Sequence, residues 1–230
     1  MQRLRIRYAK RGRLRFSSHR DFSRAFERAV FRARIPMAYS SGFNPHPRIS
    51  YAGAAPTGSA SEAEYLEIGL AQVVDPASVH ADLEDALPDG LDVLEVVESP
   101  GGSLAELLTA SRWTILLAGD GSPHAAAVPR FLAADEILVQ RMTKKGLREF
   151  DCRVAVVSLD VTTLATGTLL DLVLRHTVPA VRPDDVLTGL AQRADAPPPV
   201  TAGAPLMTRL AQGPLDEDSG RVGDPLGSSA

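Results

Sequence analysis

One cysteine, Cys152, stands in a chain of 230 residues. A single thiol excludes an internal disulfide, and with it any self-contained thiolate iron–sulfur or zinc centre, which needs several thiolates. No stretch approaches the ~20 apolar residues of a membrane helix, so no membrane partner is expected. The segment Met1 to Arg15 lacks the apolar core of a secretory signal, and a cytoplasmic location is the expectation. Aromatic residues make up only 5% of the chain. Between residues 51 and 110 there is no lysine or arginine at all, against twelve acids.

The missing cations are concentrated elsewhere. Residues 1–50 hold thirteen Lys and Arg against two acids, Asp21 and Glu27, while the whole chain carries a net charge of -3. A gradient this steep points to a cationic face for an anionic partner, nucleic acid or an acidic protein surface. The alternative is that the acidic segment neutralises the basic one within the fold.

Leu4, Ile6 and Tyr8 alternate with Arg3, Arg5 and Arg7, which predicts a strand with one apolar and one cationic side. Gly12 then suggests a turn, and Leu14 and Phe16 alternating with Arg13 and Arg15 suggest a returning strand. Ser18 followed by Asp21 has capping-box spacing. Phe22, Ala25, Phe26, Ala29, Val30 and Ala33 form one helical apolar stripe, and Pro36 ends it. Arg20, Arg24, Arg28 and Arg32 repeat every four residues on the other side. At ~100° per residue Phe31 projects among them, either exposed or covered by another element. Exposed aromatics beside cations suit phosphate contact with base stacking.

A turn-rich stretch follows from Met37 to Ser61, with prolines on both sides of His46. Strands are expected around Leu66–Leu70 and Leu91–Val97, with a helix over 76–87. The first unit, 1–99, therefore reads as α+β with a ferredoxin-like order. A second small α+β unit is expected over 103–193, with strands at 113–117, 137–141, 149–157 and 169–174 and helices at 124–134 and 183–192. Residues 194–230 are rich in proline and glycine and are expected to form a disordered tail.

The stretch from Leu14 to Leu70 resembles the radical-SAM-linked family of bacterial proteins. The resemblance rests on Phe16, Ser18, His19 and Asp21, then Gly42, Phe43, Asn44, Pro45, His46 and Pro47 with Ile49 and Ser50, then Glu64 and Tyr65. It continues more weakly to the Arg141–Gly146 hairpin and to Arg182-Pro183. The family has no assigned reaction. The resemblance implies a radical-SAM protein as partner in an RNA setting. This chain cannot itself carry the radical-SAM cluster, which needs three cysteines.

His19, Asp21 and His46 are the candidate catalytic groups, for RNA cleavage or modification by acid–base chemistry if the loop folds over the helix start. Their alternative is structural, as cap and loop fasteners; metal ligation has no spacing signature behind it. Arg3, Arg5, Arg7, Arg13, Arg15, Arg20, Arg24, Arg28, Arg32 and Arg48 are the candidate phosphate contacts, and the Gly42–Pro47 loop a source of shape or specificity. Cys152 is expected in the core. No cofactor is expected, since Gly101-Gly102 and Gly119-x-Gly121 lack a strand–loop–helix setting. An RNA-binding accessory protein, an RNA-acting enzyme and a protein-only adaptor docking the radical-SAM partner are the three readings.

Overall fold

A computed structural model describes residues 1–119, 122–143, 146–194 and 203–227. The chain forms two compact units, Met1–Leu108 with Asp224–Ala230, and Thr109–Gly223.

In the first unit the elements run β1 (Gln2–Lys10), α1 (His19–Arg32), β2 (Ile49–Ala52), β3 (Ala60–Leu70), α2 (Pro76–Ala86), β4 (Val93–Glu98) and a short α3 (Leu104–Leu107). β1 pairs antiparallel with both β3 and β4, and β2 pairs antiparallel with β3. The order β4-β1-β3-β2 with helices after the first and third strands is the ferredoxin-like arrangement expected. The period of two in β1 works as anticipated on its apolar side: Leu4, Ile6 and Tyr8 join Phe22, Phe26, Ala29 and Val30 of α1 in one buried cluster. Tyr8 stacks on Phe22 at 4.3 Å between ring centroids. Burying a side chain such as Phe26 contributes about 1.5–3 kcal/mol, so this stripe fixes which side of α1 faces outward.

Ser18 caps α1 as its spacing predicted. Its hydroxyl accepts from the Asp21 amide at 3.2 Å, and the Asp21 carboxylate accepts from the Ser18 amide at 3.3 Å and hydroxyl at 2.7 Å. At the other end Arg34 takes a left-handed backbone (φ 54°) and chain direction changes before Pro36. The expected hairpin after Gly12 does not form. Residues Gly12–Phe16 are a 3-10 turn, because Gly12 itself sits at φ 54° and both edges of β1 are already occupied by β3 and β4.

The second unit runs β5 (Ala110–Ala118), α4 (Ser122–Leu132), β6 (Leu138–Thr143), β7 (Gly146–Asp151), β8 (Val156–Leu164), β9 (Gly167–Arg175), α5 (Pro183–Arg193) and β10 (Leu206–Gly213). Its sheet has the order β10-β5-β9-β8, antiparallel throughout. With the separate β6–β7 hairpin set aside as an insertion, this is the same β-α-β-β-α-β order as the first unit. The chain therefore holds two ferredoxin-like units, a likeness that no residue repeat discloses. The expected strand over 149–157 is in fact the end of β7, a 3-10 turn at Arg153–Ala155 and the start of β8.

The expectation of a disordered tail is corrected over 203–227. β10 lies there and pairs antiparallel with β5, with Met207, Arg209 and Gln212 buried. Farther on, Leu226 is buried with Ala63, Tyr65 and Leu104 of the first unit. The remaining parts of that stretch, 195–202 and 228–230, and Lys144 and Lys145 between β6 and β7, lie outside the described residues. No described helix is long and apolar enough to cross a membrane.

Candidate nucleic-acid interface

The arginines of the basic segment divide into two groups with different fates. Those of β1 are answered by the acidic strand beside them. Arg5 is fully buried: its Nε donates to Glu67 at 3.2 Å, and its Nη2 donates to the carbonyls of Gly101 and Gly102 at 2.7 and 3.3 Å. Arg3 donates to the same Glu67 at 3.1 Å, and Arg7 donates to the carbonyl of Glu62 at 2.8 Å. Arg11 pairs with both Glu62 and Asp92. Arg5 is thus removed from the candidate phosphate contacts, because the 99–102 segment and Pro225 cover the side of β1 expected to be open. A buried guanidinium with its donors engaged is part of the fold.

The arginines of α1 have no such answer. Arg20, Arg24, Arg28 and Arg32 are all exposed, as are Arg13, Arg34 and Arg48. Among the described residues none of the seven forms an ion pair. Glu27, within the row, also remains exposed without closing on an arginine. Four cations at four-residue spacing rise ~6 Å per step along a helix, so they line one edge of α1. Phe31 projects from this edge at 84% exposure, uncovered by any other element of the unit. Arg15 differs again: its guanidinium lies over the Phe16 ring, 4.7 Å from the centroid, and it is only partly exposed.

The motif loop is fastened at its base and open at its tip. Tyr39 bridges to Pro47, the Ser40 amide donates to the His46 carbonyl at 2.9 Å, and the His46 amide donates to Ser40 Oγ at 3.0 Å. Arg48 holds the base through its own amide to Ala38 at 2.8 Å. Between these ties Ser41, Gly42, Phe43, Asn44 and Pro45 are exposed, and the Phe43 side chain is entirely in solvent. Gly42 adopts φ 135°, a conformation that disfavours any side chain, which explains glycine at the turn.

His19, Asp21 and His46 are not drawn into one hydrogen-bonded group. His19 lies at the exposed start of α1, edge-on to Tyr51 at 4.9 Å and with Nδ1 3.4 Å from Ser23 Oγ. Tyr51 is held above the usual phenol pKa by burial. Asp21 serves the cap, and its hydrogen bonds with Ser18 hold its carboxyl below the ordinary range, with smaller help from Arg24 and Arg20. His46 contributes its backbone to the loop ties. Among the described residues no group of three His, Cys, Asp or Glu is placed to hold a metal ion. Cys152 is buried, and burial pushes its thiol up to about 12, so it is no thiolate nucleophile at neutral pH.

Residues 3–183 match the model of a family described as "Uncharacterized protein conserved in bacteria (DUF2344)". The chain belongs to this family. A search of curated proteins finds no match. The family match runs from β1 to the first residue of α5, so it spans most of both units and stops short of β10. Several motif residues inside it have structural roles that spacing alone did not reveal. Glu64 is buried and accepts from the Ala55 amide at 3.2 and 3.3 Å, pinning the small-residue loop to β3. Gly58, in that loop, takes φ 97° and donates its amide to the Arg15 carbonyl at 2.8 Å. In the second unit Arg141 pairs with Asp185, which also accepts from the Arg182 amide at 2.7 Å, so Arg141 and Arg182-Pro183 together fix the start of α5. What these ties leave exposed, with no ion pair among the described residues, is the α1 arginine row, and with it Phe31 and the Phe43 tip.

Proposed function

We propose that the protein is a non-catalytic accessory to a radical-SAM enzyme and that it grips RNA through α1 of its first unit. The carrying observation is the exposed row Arg20, Arg24, Arg28 and Arg32, free of ion pairs and set beside the exposed Phe31. Like charges at i,i+4 disfavour a helix by a few tenths of a kcal/mol per pair, a cost that a phosphate backbone reverses. Arg13 and Arg48 add cations on the flanking turn and loop, while Arg3 and Arg7 are committed mainly to β3. The radical-SAM side of the reading is supported by the resemblance of the Phe16–Tyr65 motif. The enzymatic alternative through His19 and His46 draws no support from their separate hydrogen-bond settings.

Ultraviolet crosslinking of the full-length protein to total cellular RNA, followed by mapping of the modified peptides, tests this assignment. Crosslinks are expected on peptides spanning 13–48, with Phe31 and Phe43 as the reacting aromatics. Crosslinks confined to residues 109–223, with none on 13–48, would overturn it.

A further inference from the structure

Phe31 stands between two grooves of the first unit. On one side a groove of about 990 Å3 lies between α1 and the end of α2, with Ala25, Ala29 and Leu87 among its apolar lining and Arg24, Arg28 and Arg32 along one side. On the other a groove of about 470 Å3 reaches from Phe31 to Tyr39 and Pro47, with Arg34 at its edge. Tyr39 is 54% exposed, so both rings that bound the second groove show an open face to solvent.

Resting on the RNA reading above, we infer that the two grooves take successive unpaired nucleobases of a single strand, with Phe31 as the wedge between them. A flat, neutral, polarizable ring is what the lining accepts. Glu27 borders both grooves and Asp85 lies in the larger one; these acids keep phosphates out of the grooves and leave them to the arginines on the rim. Stacking on an aromatic face requires a base that is free of its own helix neighbours, which single strands offer and duplexes do not. The ring contributes nothing to the core of its own unit, so its place among the cations is explained by a partner with both charge and π-faces. The site therefore discriminates single-stranded from double-stranded RNA without reading sequence through base edges.

Fluorescence anisotropy on the full chain tests this with three probes of equal length: a single-stranded RNA, the matching duplex, and a strand whose bases have been removed. Phe31→Ala is expected to weaken single-strand binding about 5- to 100-fold while leaving duplex and abasic binding unchanged, and Phe31→Trp to preserve it. Because the side chain is 84% exposed, neither variant is expected to alter thermal unfolding. Equal affinity for abasic and intact strands, or an unaltered Phe31→Ala variant whose binding still depends on the α1 arginines, overturns the wedge and leaves the phosphate grip standing. Failure of every probe to bind at about 50 mM salt removes the RNA reading and the wedge together.

Discussion

Replacing Arg20, Arg24, Arg28 and Arg32 together by glutamate is expected to lower RNA affinity by about a thousandfold or more at ~0.1 M salt. For single strands the logarithm of the binding constant falls by about 0.7 per phosphate contact for each tenfold rise in salt. At 0.1 M, relative to 1 M, counterion release is thus worth roughly fivefold per contact, and four contacts give several hundredfold. Four new carboxylates facing the phosphates add repulsion on top of that loss. The fold is expected to survive, since the four side chains are exposed and unpaired and the core stripe of Phe22, Phe26, Ala29 and Val30 is untouched. Thermal unfolding within a few degrees of the parent confirms that only the surface changed. The same substitutions carried out at Arg3 and Arg7, by contrast, break contacts to Glu67 and Glu62 and are expected to destabilise the first unit. Undiminished affinity in the four-residue variant shows that the phosphate contacts lie elsewhere.

The second large effect concerns the segment that composition marks as a tail. Substituting Leu206–Gly213 by eight alternating glycines and serines is expected to unfold the second unit. β10 pairs with β5 over seven register positions, from Leu206 opposite Leu116 to Gly213 opposite Ala110. Glycine and serine keep the backbone groups of this ladder, but each glycine costs about 0.5–1 kcal/mol in backbone entropy and losing one large buried side chain costs about 2–5 kcal/mol, a sum comparable to the 5–15 kcal/mol that holds a whole domain together. The change also strips Met207 from the core and removes Arg209, whose guanidinium lies 5.5 Å from the centre of the Trp113 ring. Trp113 then reports the event: its fluorescence is expected to shift to the red at temperatures where the parent remains folded. Amide exchange adds position, with protection lost along β5. A solvated tail would leave both signals unchanged.

The first unit was largely legible because its signals are local and agree with one another. The α1 stripe, the Ser18–Asp21 box and the stop at Pro36 each point to the same helix, and the alternation in β1 identifies the strand that the helix packs upon. What the alternation in β1 could not disclose is the covering of its cationic side. Arg5 is buried by Gly101, Gly102 and Pro225, residues 96 to 220 positions away, and no local pattern carries that information. Gly12 does turn the chain, but Arg13 to Phe16 supply only two alternations, too few to separate a strand from a 3-10 turn. The acidic segment 51–110 matters in the way one alternative foresees, with Glu62, Glu67 and Asp92 pairing with Arg3, Arg5 and Arg11.

The second unit was less legible. The composition of residues 194–230 is dominated by prolines such as those at 197–199, which mask Leu206-Met207-Thr208-Arg209-Leu210, a run of strand composition on its own. Without that strand the unit had no fourth member and its likeness to the first could not be recognised. At the candidate site the arginine row and Phe31 were visible from helical periodicity. The exposure of Phe31 was left open by sequence, since only the packing of α2 and the motif loop decides it. The grooves on either side arise from residues 47 and 85–88 meeting α1, a juxtaposition created by the fold.

The central claim is that α1 presents cations to RNA phosphates, and the salt dependence of binding tests it most directly. Titration of the purified protein with total cellular RNA at ~50 and ~200 mM salt is the measurement. With the four α1 arginines alone engaged, affinity is expected to fall about 50-fold across that range, and about 10³-fold if Arg13, Arg34 and Arg48 also reach phosphates. Affinity that is absent at the lower salt, or that is the same at both, contradicts the account.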